Sequence, residues 1–220
     1  MSYFDIGYFS KKVKRASFAN KRRIKNKIIA WNLNKEYYDG SRINGYGGFK
    51  YDGRWKKFLP KIIKRYKLTN KSKVLEIGCK KGFLIQDLQE LLPGIKAIGI
   101  ENHRYPISKA SVKVKNKLYL KNYYDLEKFK RNQFDLIIAF NSIYMQNLGD
   151  IIKTLTGISR ISKYSYISLA SFEKKIDRDK FFDWTLLDTT NLKTDDWKSL
   201  FKQINFRGNY YFSEAKKLGL

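Results

Sequence analysis

Between residues 56 and 213, apolar runs of strand length alternate with segments of helical period. No other feature limits the fold as tightly. Phe58, Leu59, Ile62, Ile63 and Tyr66 recur at helical spacing over 56–67, and Pro60 suits a first turn. Val74–Ile77 reads as a strand, and a glycine-containing turn leads into a helix over Phe83–Leu92 that Pro93-Gly94 stops. Strands follow at Ile95–Ile100, Lys117–Leu120, Phe134–Phe140, Tyr164–Ala170 and Tyr210–Ser213. Helices are expected at Ser108–Lys115, 149–162 and 194–204, the last packing through Trp197, Leu200 and Phe201. FDLIIAF, at 134–140, is broken only by Asp135, as in a strand buried on both faces. The alternation predicts an α/β fold, doubly wound, with a mostly parallel sheet and helices on both faces. Residues 171–193 show no clear period. They should lie near the carboxyl ends of the strands, where such sheets bind ligands.

The N-terminal quarter reads differently. From Lys11 to Lys35 there are ten basic residues and no acid, with an apolar stripe at Ile24, Ile28 and Trp31. A basic helix is expected, able to dock on the core, pair with another subunit or rest on an anionic surface. Residues 37–55, YYDGSRINGYGGFKYDGRW, mix glycines with aromatics and have no helical period, which argues for an ordered cap. The expected division is residues 1–55 as basic helix and cap, and 56–220 as core. The 220 residues suffice for one packed domain. No run is apolar enough to span a bilayer, and the single cysteine, Cys79, precludes a disulfide framework, so the cytoplasm is the expected location. A formal net charge of +26 points to nucleic acid, an anionic surface or a phosphorylated substrate without choosing among them.

The chemistry concentrates in VLEIGCKKGFLIQDL, residues 74–88. A strand enters a turn holding Gly78 and Gly82, and the following helix start presents free amides to a polar ligand. Glu101 ends the next strand, where an acid can take both hydroxyls of a ribose. This stretch resembles motif I of the class I methyltransferases that use S-adenosylmethionine (SAM). Glu76 falls on the family's strand acid, Gly78 and Gly82 on its first and third glycines, and Glu101 on the ribose-binding acid. The resemblance implies a seven-stranded, Rossmann-like sheet and a SAM site of Glu76, Gly78, Cys79, Gly82, Glu101, Asn102, Asn122 and Asn141. Asn122 would stand beside the adenine, and Asn141 would face the methyl group or the acceptor. Lys80 departs from the pattern by standing where the middle glycine is usual, so its side chain must avoid the cofactor or the turn must shift.

The 37–55 segment is similar to the YDG-x-R-x-x-GYGG-x-x-YDGRW stretch of a bacterial subgroup of that family. The subgroup's later motifs are matched by Asn141 to Leu148, by Trp184-Thr185-Leu186-Leu187 and by Asp196-Trp197. Its histidine position holds Tyr144. The glycine-rich aromatic cap suits enclosure of a compact acceptor, so a small molecule, such as a sugar or surface-polysaccharide intermediate, is expected. Arg42, Tyr46, Arg54 and Trp184 are the expected acceptor contacts, and Asp52, Asn141 and Tyr144 the expected catalytic groups. Arg42 and Arg54 can grip an anionic acceptor in bidentate fashion, and Asp52 can orient it, take its proton or simply fix the arginines. Asp188 and His103 are further candidate bases. No residue spacing points to a metal site. Methylation of RNA or another nucleic acid, a catalytically inactive SAM-binding role, and a homodimer remain open alternatives.

Overall fold

The structure, a computed structural model, describes residues 1–9, 18 and 21–220. The strands are β1 (Ser2–Tyr3), β2 (Lys73–Ile77), β3 (Lys96–Glu101), β4 (Leu118–Leu120), β5 (Phe134–Phe140), β6 (Ser162–Phe172), β7 (Leu192–Lys193) and β8 (Asn209–Ser213). The helices are α1 (Ile24–Trp31), α2 (Lys35–Tyr38), α3 (Leu59–Tyr66), α4 (Phe83–Leu91), α5 (Arg104–Ser108), α6 (Leu148–Ile161), α7 (Lys175–Trp184), α8 (Thr194–Gln203) and α9 (Ala215–Leu218). Seven strands follow the order β1-β8-β6-β5-β2-β3-β4, and short β7 pairs beside β6. Every pairing is parallel.

Period-two alternation explains how β5 serves two cores. Leu136, Ile138 and Phe140 join the cluster with Leu59 and Ile62 of α3 and Leu84 and Leu88 of α4. Ile137 and Ala139 face the other way, toward Ile151, Leu155 and Ile158 of α6 and Trp197 and Phe201 of α8. Burying a large apolar side chain is worth roughly 1.5–3 kcal/mol. A strand apolar on both faces therefore belongs at the centre of the sheet, where β5 lies between β2 and β6.

Three local expectations are corrected. The chain's first residues form a sheet edge: β1 pairs with β8, Ser2 opposite Asn209. Of the expected N-terminal basic helix, α1 covers Ile24–Trp31, while residues 10–17, 19 and 20 lie outside the described ones. The helix expected at Ser108–Lys115 lies earlier, at Arg104–Ser108, with Pro106 in its first turns. Val112 is 90% exposed whereas Val114 is buried, so the apolar positions there do not share a helical face. Within the region without period, 171–193, the structure places α7 and β7. Among the described residues, no helix is long and apolar enough to cross a membrane.

Candidate functional site

The site begins where β2 turns into α4. Gly78, Lys80 and Gly82 all take left-handed backbone, with φ of 77°, 52° and 75°. Glycine is required at 78 for a second reason: a Cβ there would lie 2.2 Å from the Ser142 Cβ. The 141–145 segment crosses at that point, anchored by the Ser142 hydroxyl donating to the Ile77 carbonyl at 2.8 Å.

Glu101, fully buried at the end of β3, accepts from the Lys80 N–H at 3.0 Å, the Tyr123 hydroxyl at 3.2 Å and the His103 N–H at 3.2 Å. Burial still pushes its pKa up, against the Lys80 amide and ammonium. Glu76 is also buried and raised, with Oε2 unpartnered. Lys80 does not turn away. Burial opposes its charge, but Tyr46, Glu101 and Glu76 around it hold its pKa above the ordinary lysine value. Beside Glu101 lies a hollow of about 300 Å³ bordered by Asn102, Asn122, Tyr123 and Gln146. Asn102 Oδ1 is buried there without a hydrogen-bond partner. Asn122 turns its amide to Asp125 at 3.1 Å.

A larger cavity of about 430 Å³ lies between the 42–55 segment, Lys80, the end of β5 and residues 184–187, and Met145 borders both spaces. Among the described residues its lining carries five cationic side chains, Arg22, Arg42, Lys50, Arg54 and Lys80, and no carboxylate. Tyr46, Tyr144 and Trp184 are among its aromatic walls. Asn141, at φ 48°, reaches it from β5. Its Oδ1 accepts from Ser168 at 2.7 Å and Ser213 at 2.9 Å, which fixes the side chain's orientation. Arg42 donates to the Gly45 carbonyl. Arg22 donates to the carbonyls of Ile43, Arg42 and Trp184, tying the cap to the end of α7. Burial and the neighbouring Arg42 lower its pKa to about 10.

Two acids, the partly buried Asp39 and the fully buried Asp87, hold the cap down. Asp39 accepts from Lys81 Nζ at 2.7 Å, the Tyr105 hydroxyl at 2.8 Å and the Phe49 N–H at 3.2 Å. Asp87 of α4 accepts from the Tyr51 hydroxyl at 2.6 Å and the Trp55 N–H at 3.0 Å. Tyr38, Tyr46 and Phe49 then pack ring against ring over the turn.

Of the expected acceptor-side residues, Arg42, Tyr46, Arg54, Trp184, Asn141 and Tyr144 meet at this cavity. Asp52 does not line it. Its carboxylate takes three bonds from the Arg54 guanidinium, at 2.6 to 2.9 Å, on the half-exposed outer side of the cap. Cys79 is buried against Gly99 of β3, and burial pushes its thiol pKa up. Asp188 lies next to the cavity wall, close enough to Tyr144 to help burial raise the tyrosine's pKa. Arg22 and Lys50 were not singled out by the sequence. One is a member of a basic run and the other a lone lysine in the cap, and neither carries a local signal. Among the described residues, no three His, Cys, Asp or Glu side chains group to hold a metal ion.

A methyltransferase domain family matches residues 68–205. No curated protein matches the sequence. A SAM-dependent methyltransferase from Archaeoglobus fulgidus superposes with a TM-score of 0.54 at 16% identity, over 76% of this chain and 72% of that one. The YcgJ protein of Bacillus subtilis superposes with a TM-score of 0.54 at 15% identity, over 66% of each chain. At such identities the likeness is one of fold.

Proposed function

The chain belongs to the methyltransferase domain family, and from that premise we propose that it transfers a methyl group from SAM to a small anionic acceptor held under the 37–55 cap. The acceptor half of this reading rests on one observation: a cavity of about 430 Å³ with five cations and no carboxylate among its described lining residues. An arginine fork matches a carboxylate or phosphate. A roofed cavity supports a compact acceptor over a nucleic-acid strand, which would require an open groove.

The residues fit the cofactor. Asn102 Oδ1, buried and unpartnered beside Asn122, suits a donor on the nucleoside. Glu101 suits the ribose hydroxyls, and the orphaned Glu76 Oε2 suits an ammonium group. Lys80 is the departure: it brings a cation to a site meant for a cationic cofactor, and is best used on a carboxylate. When bound, SAM supplies a methyl group already activated on sulfonium, so the chain's own task is alignment and exclusion of water. Arg42 holds the acceptor's anion, while Arg22, bonded to three backbone carbonyls, keeps the cap against the end of α7. Tyr46, Tyr144 and Trp184 wall it in, and Asn141 presents a fixed amide. Asp52 keeps Arg54 in place.

Calorimetry with SAM and with its demethylated product tests the cofactor. Binding by at least one is expected, and silence from both at millimolar concentration defeats the reading. Phosphorylated and carboxylated small acceptors are then expected to drive formation of the demethylated product, and Arg42→Ala to suppress it while sparing SAM binding. Equal turnover of uncharged analogues overturns the anionic acceptor.

A further inference from the structure

Helix α1 is inverted. Its inner face is made by Asn26 and Ala30, with Asn26 donating to the Asn44 side chain at 2.8 Å. Its apolar stripe faces solvent: Ile24 is 71% exposed, Ile28 59% and Trp31 50%. On the neighbouring α7, Phe182 is also exposed, with Lys27 Nζ 3.4 Å from its ring centre. Leaving such side chains in water forgoes the gain of burying them. Lys21, Arg23 and Lys25 are exposed around the stripe, and no acid occurs between Lys11 and Lys35.

We infer that this face of α1 docks on an anionic phospholipid bilayer. An apolar stripe rimmed by lysine and arginine, whose Trp31 also borders the hollow beside Asn102, suits the headgroup boundary, where apolar burial and attraction to anionic lipid add. The charge argues against a second copy of this chain. Pairing two α1 helices would bring Lys21, Arg23 and Lys25 of both copies together, with no acid between Lys11 and Lys35, and Asp183 beside Phe182 already acts on Lys27. A +26 chain as a whole is drawn to the same surface. Arg22, two residues before Ile24, lines the cavity, so the docking helix and the acceptor site adjoin. The inference stands on exposure and charge and does not depend on which acceptor is methylated.

Flotation of the full chain with vesicles tests it. Binding is expected to vesicles of phosphatidylcholine mixed with phosphatidylglycerol, to weaken as salt is raised, and to be absent with phosphatidylcholine alone. The double variant Ile24→Ser, Ile28→Ser, which leaves Trp31 at the edge of the hollow beside Asn102 untouched, should lose roughly tenfold or more in partitioning, with circular dichroism and SAM calorimetry unchanged. Lys21→Gln with Lys25→Gln should also weaken binding, through charge alone and without touching the stripe. Equal binding to neutral vesicles overturns the inference, as does undiminished binding by both variants. A dimer in sedimentation that the double variant dissolves would assign the stripe to a second copy instead.

Discussion

Asp188 is a largely buried carboxylate with one oxygen satisfied, by the Asn191 amide at 2.7 Å, and the other without a partner. Burial lifts its pKa from 3.8 to about 6, against the Asn191 bond and the charge of Lys27. The raised value sets the sign of its effect on stability. Below pH 3.8 both the folded and the unfolded chain hold the proton, and Asp188 contributes nothing. As pH rises toward 6 the unfolded chain loses its proton first, so stability falls. Above 6 the penalty is complete, on the order of 3 kcal/mol. Asp188→Asn keeps an acceptor for Asn191 and removes the ionisation. The variant should melt above the parent at pH 8, with the advantage shrinking toward pH 4. An advantage equal at both ends would show that ionisation at 188 is not what matters. Lys80 poses the opposite case, a partly buried cation kept charged by Tyr46 and by Glu101 and Glu76, which lie toward the ends of two neighbouring strands.

At the scale of elements, the cap is held by few contacts, and their loss should be local. Lys81 is 6% exposed, and Asp39 bonds its ammonium along with the Phe49 carbonyl. Asp39→Ala would leave that charge buried without its counter-ion, a loss of about 3 kcal/mol. Hydrogen exchange should then quicken in the 45–50 amides, where the Phe49 N–H also loses its acceptor, while β5 stays protected. If the cap exchanges no faster, its aromatic stack alone holds it down.

For the whole molecule, ligand linkage gives the plainest test. A cofactor that binds only the folded chain at a hundred times its Kd adds about 2.7 kcal/mol. A domain this long gains about 2–4 °C in Tm for each kcal/mol. SAM at that excess should therefore raise Tm by about 8 °C, and Glu101→Ala should abolish most of the rise. A rise of equal size in the Glu101 variant would take that carboxylate out of the site.

The order of strands and helices was legible in the sequence because it rests on local periodicity. FDLIIAF is apolar on both faces, so it must be central, and VLEIGCKKG carries its own turn in Gly78 and Gly82. The residues proposed for the cofactor could be picked out for the same reason: Glu76, Glu101 and Asn102 stand at or beside strand ends fixed by register. The cap side was legible only as composition. Its tyrosines and arginines suggested a binding segment, but the approach of Arg22 to Trp184, across a sequence distance of 162 residues, depends on how distant segments pack. The orientation of α1 shows the same limit. Its stripe at Ile24, Ile28 and Trp31 was plain in the sequence, yet a helical period states only that a face exists. Which way it turns was decided by tertiary contacts: Asn44 bonding Asn26, and Leu186 and Leu187 packing with Ala30. Those contacts join residues far apart in the chain, and no local pattern encodes them.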